Sequence, residues 1–395
     1  MKKILAFLVP LVLAGSAHAQ EAGSDAANAN RFTLAMAQAV IAHQTDPSDN
    51  VVVSPYNALS ALSLAGAGAG GATRDEFAKA LYGTDGAKLD EDLKSFSALN
   101  KTVLDANKGH VDLLAANGIW VNKNIASIKP DYAAAAKENF SAAISVEDFG
   151  DSKTLDKINN WAGDNTRGLI DKVLQELDPN GALILASALY FKGEWTYKFD
   201  KAKTKPKNFT PDDGKSFQTP MMHEDFDQEF QVVGQDRTGY EAVALTYGAI
   251  DSRSMRLVLV RPKDAATSAR NWLSKQAGEN LPDWLDRSKF DEVRGAVELP
   301  HLDIKQHYDL IPALKAIGIN AAFTGDADFS AMAAVKGPKI AVTQVSHDVV
   351  FKTDEEGSEA AAVTTIAMAG SAMMKEPRHI DIKFDRSFVF ALQDA

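Results

Sequence analysis

The 395-residue chain has no cysteine, which leaves it neither a disulfide framework nor a lipid-modified N-terminal thiol. Its N-terminal apolar run, 4–14, is too short to span a bilayer. The eight histidines show no metal-ligand spacing, and His301 and His307 are too far apart for a one-face helical pair, so no metal or other cofactor is expected. The glycine-rich stretch 66–72, GAGAGGA, lacks the Gly-Lys-Ser/Thr that completes a phosphate loop. A G-x-S-x-G elbow is also missing. Triads assemble in space rather than in sequence, so an exported hydrolase stays open as the weaker reading. Basic residues are short as well: 42 Lys and Arg against 53 Asp and Glu give a formal charge of −11, a poor match for nucleic acid or anionic lipid.

What is present is ordinary globular material, 45% hydrophobic and 24% charged, enough for a large core. Size alone suggests two domains, but no Pro/Ser-rich linker, charge block or internal repeat divides the chain. Residues 1–19 carry Lys2 and Lys3, the apolar run and Ala17-His18-Ala19, the pattern of a secretory signal with a small-residue cleavage site. Its removal takes the formal charge to about −13. The mature protein is therefore expected to be exported, periplasmic or extracellular. Residues 20–30 read as a disordered lead-in to a domain over 31–395. Phe32, Ala35, Met36, Ala39 and Val40 then recur at the spacing of an amphipathic helix.

Leu113 to Val121 reads as a strand, and Leu183 to Phe191 as one buried on both faces. Met255 to Val260, Val297 to Leu299 and Phe384 to Leu392 add further strands, and the irregular mixing with helices indicates α+β. Near the C-terminus Val345, His347, Val349 and Phe351 alternate with Ser346, Asp348 and Lys352, predicting a half-buried strand. It runs into DEEGSEAAAVTT, 354–365, without turn chemistry. Ala and Glu favour helix when this run is read alone. Read as a strand, it puts Ser358, Ala360, Ala362, Thr364, Ile366 and Met368 on one face, with Glu359 on the other.

This hinge-like segment resembles that of a serpin, and other motifs keep the family's order. NVVVSPYNALSALSLAGAGAGGATRDEF (50–77) is similar to its strand, Ser-Pro and buried helix. ALYFKGEWTYKFD (188–200) is close to its most recognisable internal signature, followed by Thr204, Phe209, Gly214 and Pro220 to Met222. LPHLDIKQHYDLIPALKAIGINAAF (299–323) and ADFS (327–330) resemble the segment before the reactive loop. Trp161, Thr166, Leu169 and Ile170 resemble the helix beside the main sheet, while Thr246 stands where the family often has Pro. The resemblance implies a single α+β domain with a large central sheet, further sheets, about eight or nine helices and an exposed reactive loop over 357–380. It also implies a further buried strand after FVFALQDA, where this chain stops at Ala395.

By the same resemblance the protein is an irreversible suicide-substrate inhibitor of serine, or else cysteine, proteases, not an enzyme. A non-inhibitory serpin-like binder or chaperone is the alternative. The implied loop hinge is Glu355, Glu356, Gly357, Ser358, Glu359, Ala360, Ala361 and Ala362. Counting from Gly357 puts the scissile bond between Ser371 and Ala372; counting back from Phe384 points toward Lys375 or Glu376, and Met373 lies between. Small or apolar residues there suit an elastase-like, subtilisin-like or chymotrypsin-like partner, and a cut after Lys375 a trypsin-like one. Trp195 matches the tryptophan at the loop's entry point, with plain core packing as its simpler role. His347 matches a histidine that meets a polar cluster where the sheet parts, here Ser54, Asn57 and Ser187. The family commonly has Ser at the place of Asn57 and Asn at that of Ser187, and an exchange of hydrogen-bond partners is expected to compensate. The lysines 201, 203, 205 and 207 form a basic stripe read as a solvated strand edge rather than a polyanion site. No nucleic-acid or membrane partner is expected, and the protein is taken as a monomer.

Overall fold

The computed structural model describes residues 19–44, 46, 49–226, 232–249, 255–276, 282–336, 339–358 and 378–394. The described residues form eight α-helices: α1 Ala19–His43, α2 Pro55–Ala67, α3 Gly71–Phe77, α4 Leu89–Asn107, α5 Pro130–Phe140, α6 Ser152–Asn165, α7 Ala269–Ser274 and α8 Ile311–Ala316. Helix α1 corrects the expected lead-in at 20–30, which is helical; Ala19, Ala22, Ala26, Ala27 and Ala29 give that stretch strong helix propensity.

The main sheet contains β1 (Asp112–Asn122), β3 (Ala143–Glu147), β4 (Leu183–Glu194), β11 (Leu302–Asp309) and β13 (Val342–Thr353) in the order β11-β13-β4-β1-β3, with the short β14 (Gly357–Ser358) paired to β4. A second sheet joins β5 (Lys205–Phe209), β6 (Phe217–Phe226), β7 (Val232–Asp236), β8 (Tyr240–Thr246), β9 (Arg256–Pro262), β10 (Asp291–Pro300), β15 (Arg378–His379), β16 (Ile382–Lys383) and β17 (Val389–Gln393). Strands β2 (Ala126–Ile128) and β12 (Ala333–Val335) pair separately.

Helix α2 starts at Pro55, whose missing N–H is no loss at that position, with the Ser54 side chain accepting from the Asn57 N–H. It is buried along its length beneath the main sheet. Successive residues of β4 face two cores. Leu183, Leu185 and Leu189 join the large core shared with α2 and the second sheet. Ile184, Ala186 and Ala188 join a smaller core under α6, where Trp120 and Trp161 meet edge-on at 4.9 Å. This is the doubly buried strand expected from its continuous apolar run.

Strand β13 differs from the expected half-buried strand, because Ser346 and Asp348 are buried too. The segment following α6 covers that face: Ser346 Oγ donates to the Val173 carbonyl at 2.6 Å and to Asp348 Oδ2 at 2.9 Å. Asp348 Oδ1 accepts from His307 Nδ1 at 2.9 Å, which raises the pKa of His307. The polar face thus meets polar partners instead of water.

Candidate functional site

The site is the seam between β4 and β13, the parallel neighbours at the centre of an otherwise largely antiparallel sheet. Their pairing runs from Val342↔Leu183 to Val349↔Leu189 and goes no further. Past that point β4 continues to Glu194 and β13 to Thr353, and β14 occupies the gap, antiparallel to β4, with Gly357↔Glu194 and Ser358↔Gly193. One pair of strands is therefore closed at one end and parted at the other, with the first residues after the turn already seated as a strand.

The turn into β14 is held by backbone. Asp354 N–H donates to the Gly357 carbonyl at 2.8 Å, Gly357 N–H returns to the Asp354 carbonyl at 3.2 Å, and Thr353 Oγ1 adds a bond to Gly357 O at 3.0 Å. Gly357 adopts φ +138°, and a Cβ there would lie 2.3 Å from the Gly193 carbonyl oxygen, so only glycine fits. The Trp195 indole N–H donates to Asp354 O at 2.8 Å and its backbone N–H to Glu356 O at 2.9 Å, while its ring stacks on Tyr247 at 4.4 Å. Trp195 therefore does more than fill the core. Ser358 is buried with its hydroxyl 3.1 Å from that of Tyr247.

Two carboxylates clasp the turn. Glu355 is buried, and its Oε1 accepts from Thr204 Oγ1 at 2.6 Å and His301 Nε2 at 2.9 Å. Burial works against its ionised form, but these hydrogen bonds outweigh it and hold the carboxyl below the ordinary glutamate range. Glu356 pairs with Lys198 at 2.8 Å and Lys201 at 3.0 Å, which lowers its pKa as well. Of the basic stripe, Lys201, Lys203 and Lys207 are paired with Glu356, Glu224 and Glu298, so these three belong to ion pairs rather than to a free solvated edge.

In the closed half, His347 is fully buried. Its Nε2 accepts the Ser54 backbone N–H at 2.9 Å, which leaves the proton of the neutral ring on Nδ1 to donate to Ser187 Oγ at 2.8 Å. Burial, and then the nearby charge of His307, depress its pKa to about 3. Ser187 and His347 contact each other across the seam with no carboxylate behind the ring, an arrangement that bridges strands and does not activate a nucleophile. Ser54, Ser187 and His347 thus come together. The expected compensation by Asn57 is overturned: its Oδ1 and Nδ2 are buried with no hydrogen-bond partner. Counting polar groups balanced the exchange, but hydrogen bonds also require direction and distance, and the amide at 57 makes none.

Sequence reasoning missed Thr204, His301, Lys198, Lys201 and Tyr247 at the hinge, and Ser60 and Asn117 near the cluster, where Asn117 Nδ2 donates to Ser60 Oγ at 2.9 Å. The acid pair Glu355-Glu356 was the available signal that cations or hydroxyls converge there. Glu359, Ala360, Ala361, Ala362, Ser371, Ala372, Met373 and Lys375 lie outside the described residues.

A family profile described as "Serpin (serine protease inhibitor)" matches residues 27–395, and the chain belongs to the serpin family. It is 31% identical over 382 residues to Serpin-Z1C of Triticum aestivum, covering 93% of this chain and 92% of that protein. It is 29% identical over 393 residues to Serpin-Z3 of Arabidopsis thaliana, covering 95% of each. The fold matches the native state of the thermophilic serpin tengpin with a TM-score of 0.81 at 23% identity, over 98% of this chain and 94% of that one.

Proposed function

We propose that this serpin is an irreversible, suicide-substrate inhibitor of serine proteases, exported from the cell and acting as a monomer. The observation that carries this is the half-parted seam with Gly357 and Ser358 already paired in it. The serine of the target protease attacks the carbonyl carbon of Ser371, and an acyl-enzyme forms as the amine of Ala372 leaves. Cleavage frees the hinge side to continue into the sheet.

Continuing the antiparallel register of Gly357↔Glu194 and Ser358↔Gly193 sets Glu359 against Lys192, Thr364 against Ser187, Ile366 against Leu185 and Met368 against Leu183. Thr364, Ile366 and Met368 then share the face of Ser187, Leu185 and Leu183 toward the large core, and Glu359 meets a lysine on the opposite face. A weaker parallel pairing is replaced by antiparallel pairing on both sides of the new strand. Each inserted hydrogen bond contributes roughly 1 kcal/mol net, and burial of Ile366 and Met368 about 1.5–3 kcal/mol each. The fourteen residues of strand from Ser358 to Ser371 carry the acyl-linked protease on the order of 40 Å. Mixing the protein with elastase, subtilisin, chymotrypsin and trypsin tests this reading. A denaturant-resistant complex with one of them, and a C-terminal peptide whose mass begins at Ala372, are expected. Turnover of all four without a complex would contradict it.

A further inference from the structure

We propose that the cavity between α2, α4 and α5 is a binding site for a small aliphatic carboxylate, its chain held among the three helices and its head group at Lys94. The cavity has a volume of about 320 Å³. That is the small end of the roughly 300–1,000 Å³ found for ligand pockets, so it suits a small amphiphile rather than a bulky cofactor. It exists because facing side chains are short: Ala67 ends α2, and Ala135 and Ala136 lie along α5 where larger residues would close the gap. Leu93, Tyr132 and Phe140 supply a buried apolar wall. The Tyr132 hydroxyl is already engaged, donating to the Leu64 carbonyl at 2.7 Å. The wall therefore offers a ligand contact with carbon and no hydrogen bond, which a hydrocarbon chain accepts without cost.

The polar lining residues, Asp90, Lys94 and Asn139, are all exposed and so mark the mouth. The charge of Asp90 is met by Arg74, with Nη2 to Oδ1 at 2.8 Å. Lys94, one turn further along α4, has no ion-pair partner among the described residues. Ser97 follows Lys94 by three residues and so shares its helix face, and Ser97 Oγ donates to the Asn139 carbonyl at 2.8 Å, which sets Asn139 next to that face. The first turns of α4 and the last turn of α5 both border the cavity, and their end charges oppose each other, so Lys94 decides the sign of the mouth. An ammonium and an amide N–H beside an apolar interior match a carboxylate on a hydrocarbon chain. An amine head group would meet Lys94 as a like charge, and an alcohol would gain the apolar burial alone.

Titration calorimetry of the intact protein with octanoate, octylamine and 1-octanol tests the site, and because no protease is present the result stands apart from the inhibitory reading. Octanoate should bind saturably and more tightly than either of the other two. Lys94→Gln should weaken octanoate about fivefold, the size of one exposed charge contact, and leave 1-octanol unchanged. Ala135→Trp, at an exposed position, puts an indole into the cavity and should abolish octanoate binding. Ala331→Trp, also exposed and lining the cavity, gives the same comparison should Ala135→Trp fold poorly. Equal affinity for the three probes, no saturable octanoate binding, no loss in Lys94→Gln, or binding unaltered by the tryptophan would overturn the proposal.

Discussion

The two halves of the seam between β4 and β13 are built from the same strands and held by different forces. In the closed half the strands exchange backbone hydrogen bonds, and a neutral buried His347 ties Ser187 to the start of α2. In the parted half that ladder is absent, and the turn at 354–357 is held to β4 by Trp195 and to its neighbours by Glu355 and Glu356. Parting the closed half would break the desolvated hydrogen bonds that link Ser54, His347 and Ser187. The parted half holds β14 in place through buried Trp195 and Glu355 and half-buried Glu356. On the proposed inhibitory reading, the closed half sets how far the loop advances and the clasp sets where it starts.

The largest break in this contrast should come from Ser358→Arg. An unpaired guanidinium buried beside Tyr247 costs several kcal/mol, so the yield of stable protease complex is expected to fall more than about tenfold on a denaturing gel, with the loop cut as ordinary substrate. Acid acts next, and on the closed half. His347 has a folded pKa depressed to about 3, so the unfolded chain binds its proton first; stability is complete above about pH 6.5 and falls as the pH drops toward 3. The slope approaches about 1.4 kcal/mol per pH unit. His307 has the opposite sign: its pKa is raised, so its contribution is complete below about 6.5 and fades as the pH rises through the folded value. Urea midpoints between pH 6.5 and 4.5 should therefore fall with acid in the wild type and flatten in His347→Gln.

The clasp gives smaller effects. Glu355→Ala leaves a buried edge without its acceptor and should lower the intact protein's stability by about 1–2 kcal/mol, read from urea unfolding. Glu356→Ala removes ion pairs that face water and should move the melting point by no more than about 1 °C. If Glu356→Ala proved the more damaging of the two, the hinge would be held by its surface charges and the contrast would need redrawing.

Much of this was legible in the residues. The apolar run of β4, the strand β1 and the glycine of the hinge announce themselves locally, because both-face burial and positive φ leave a signature in composition. The second burial of β13 was not legible, since its cover comes from Val173 and His307, far away in sequence. Glu355 shows the same limit: an acid pair predicts partners, but Thr204 and His301 are selected only by the fold. At Asn57 the residue types balanced while the geometry did not. Helix α1 began earlier than read, where alanine propensity prevailed over the polar residues among it.

The most direct test of loop insertion as the source of inhibitory force is the melting temperature of the protein before and after a single cut in the 359–377 segment. The account predicts a large upward shift in the nicked form, because the freed strand completes the seam. A nicked form that melts at or below the intact one would contradict it.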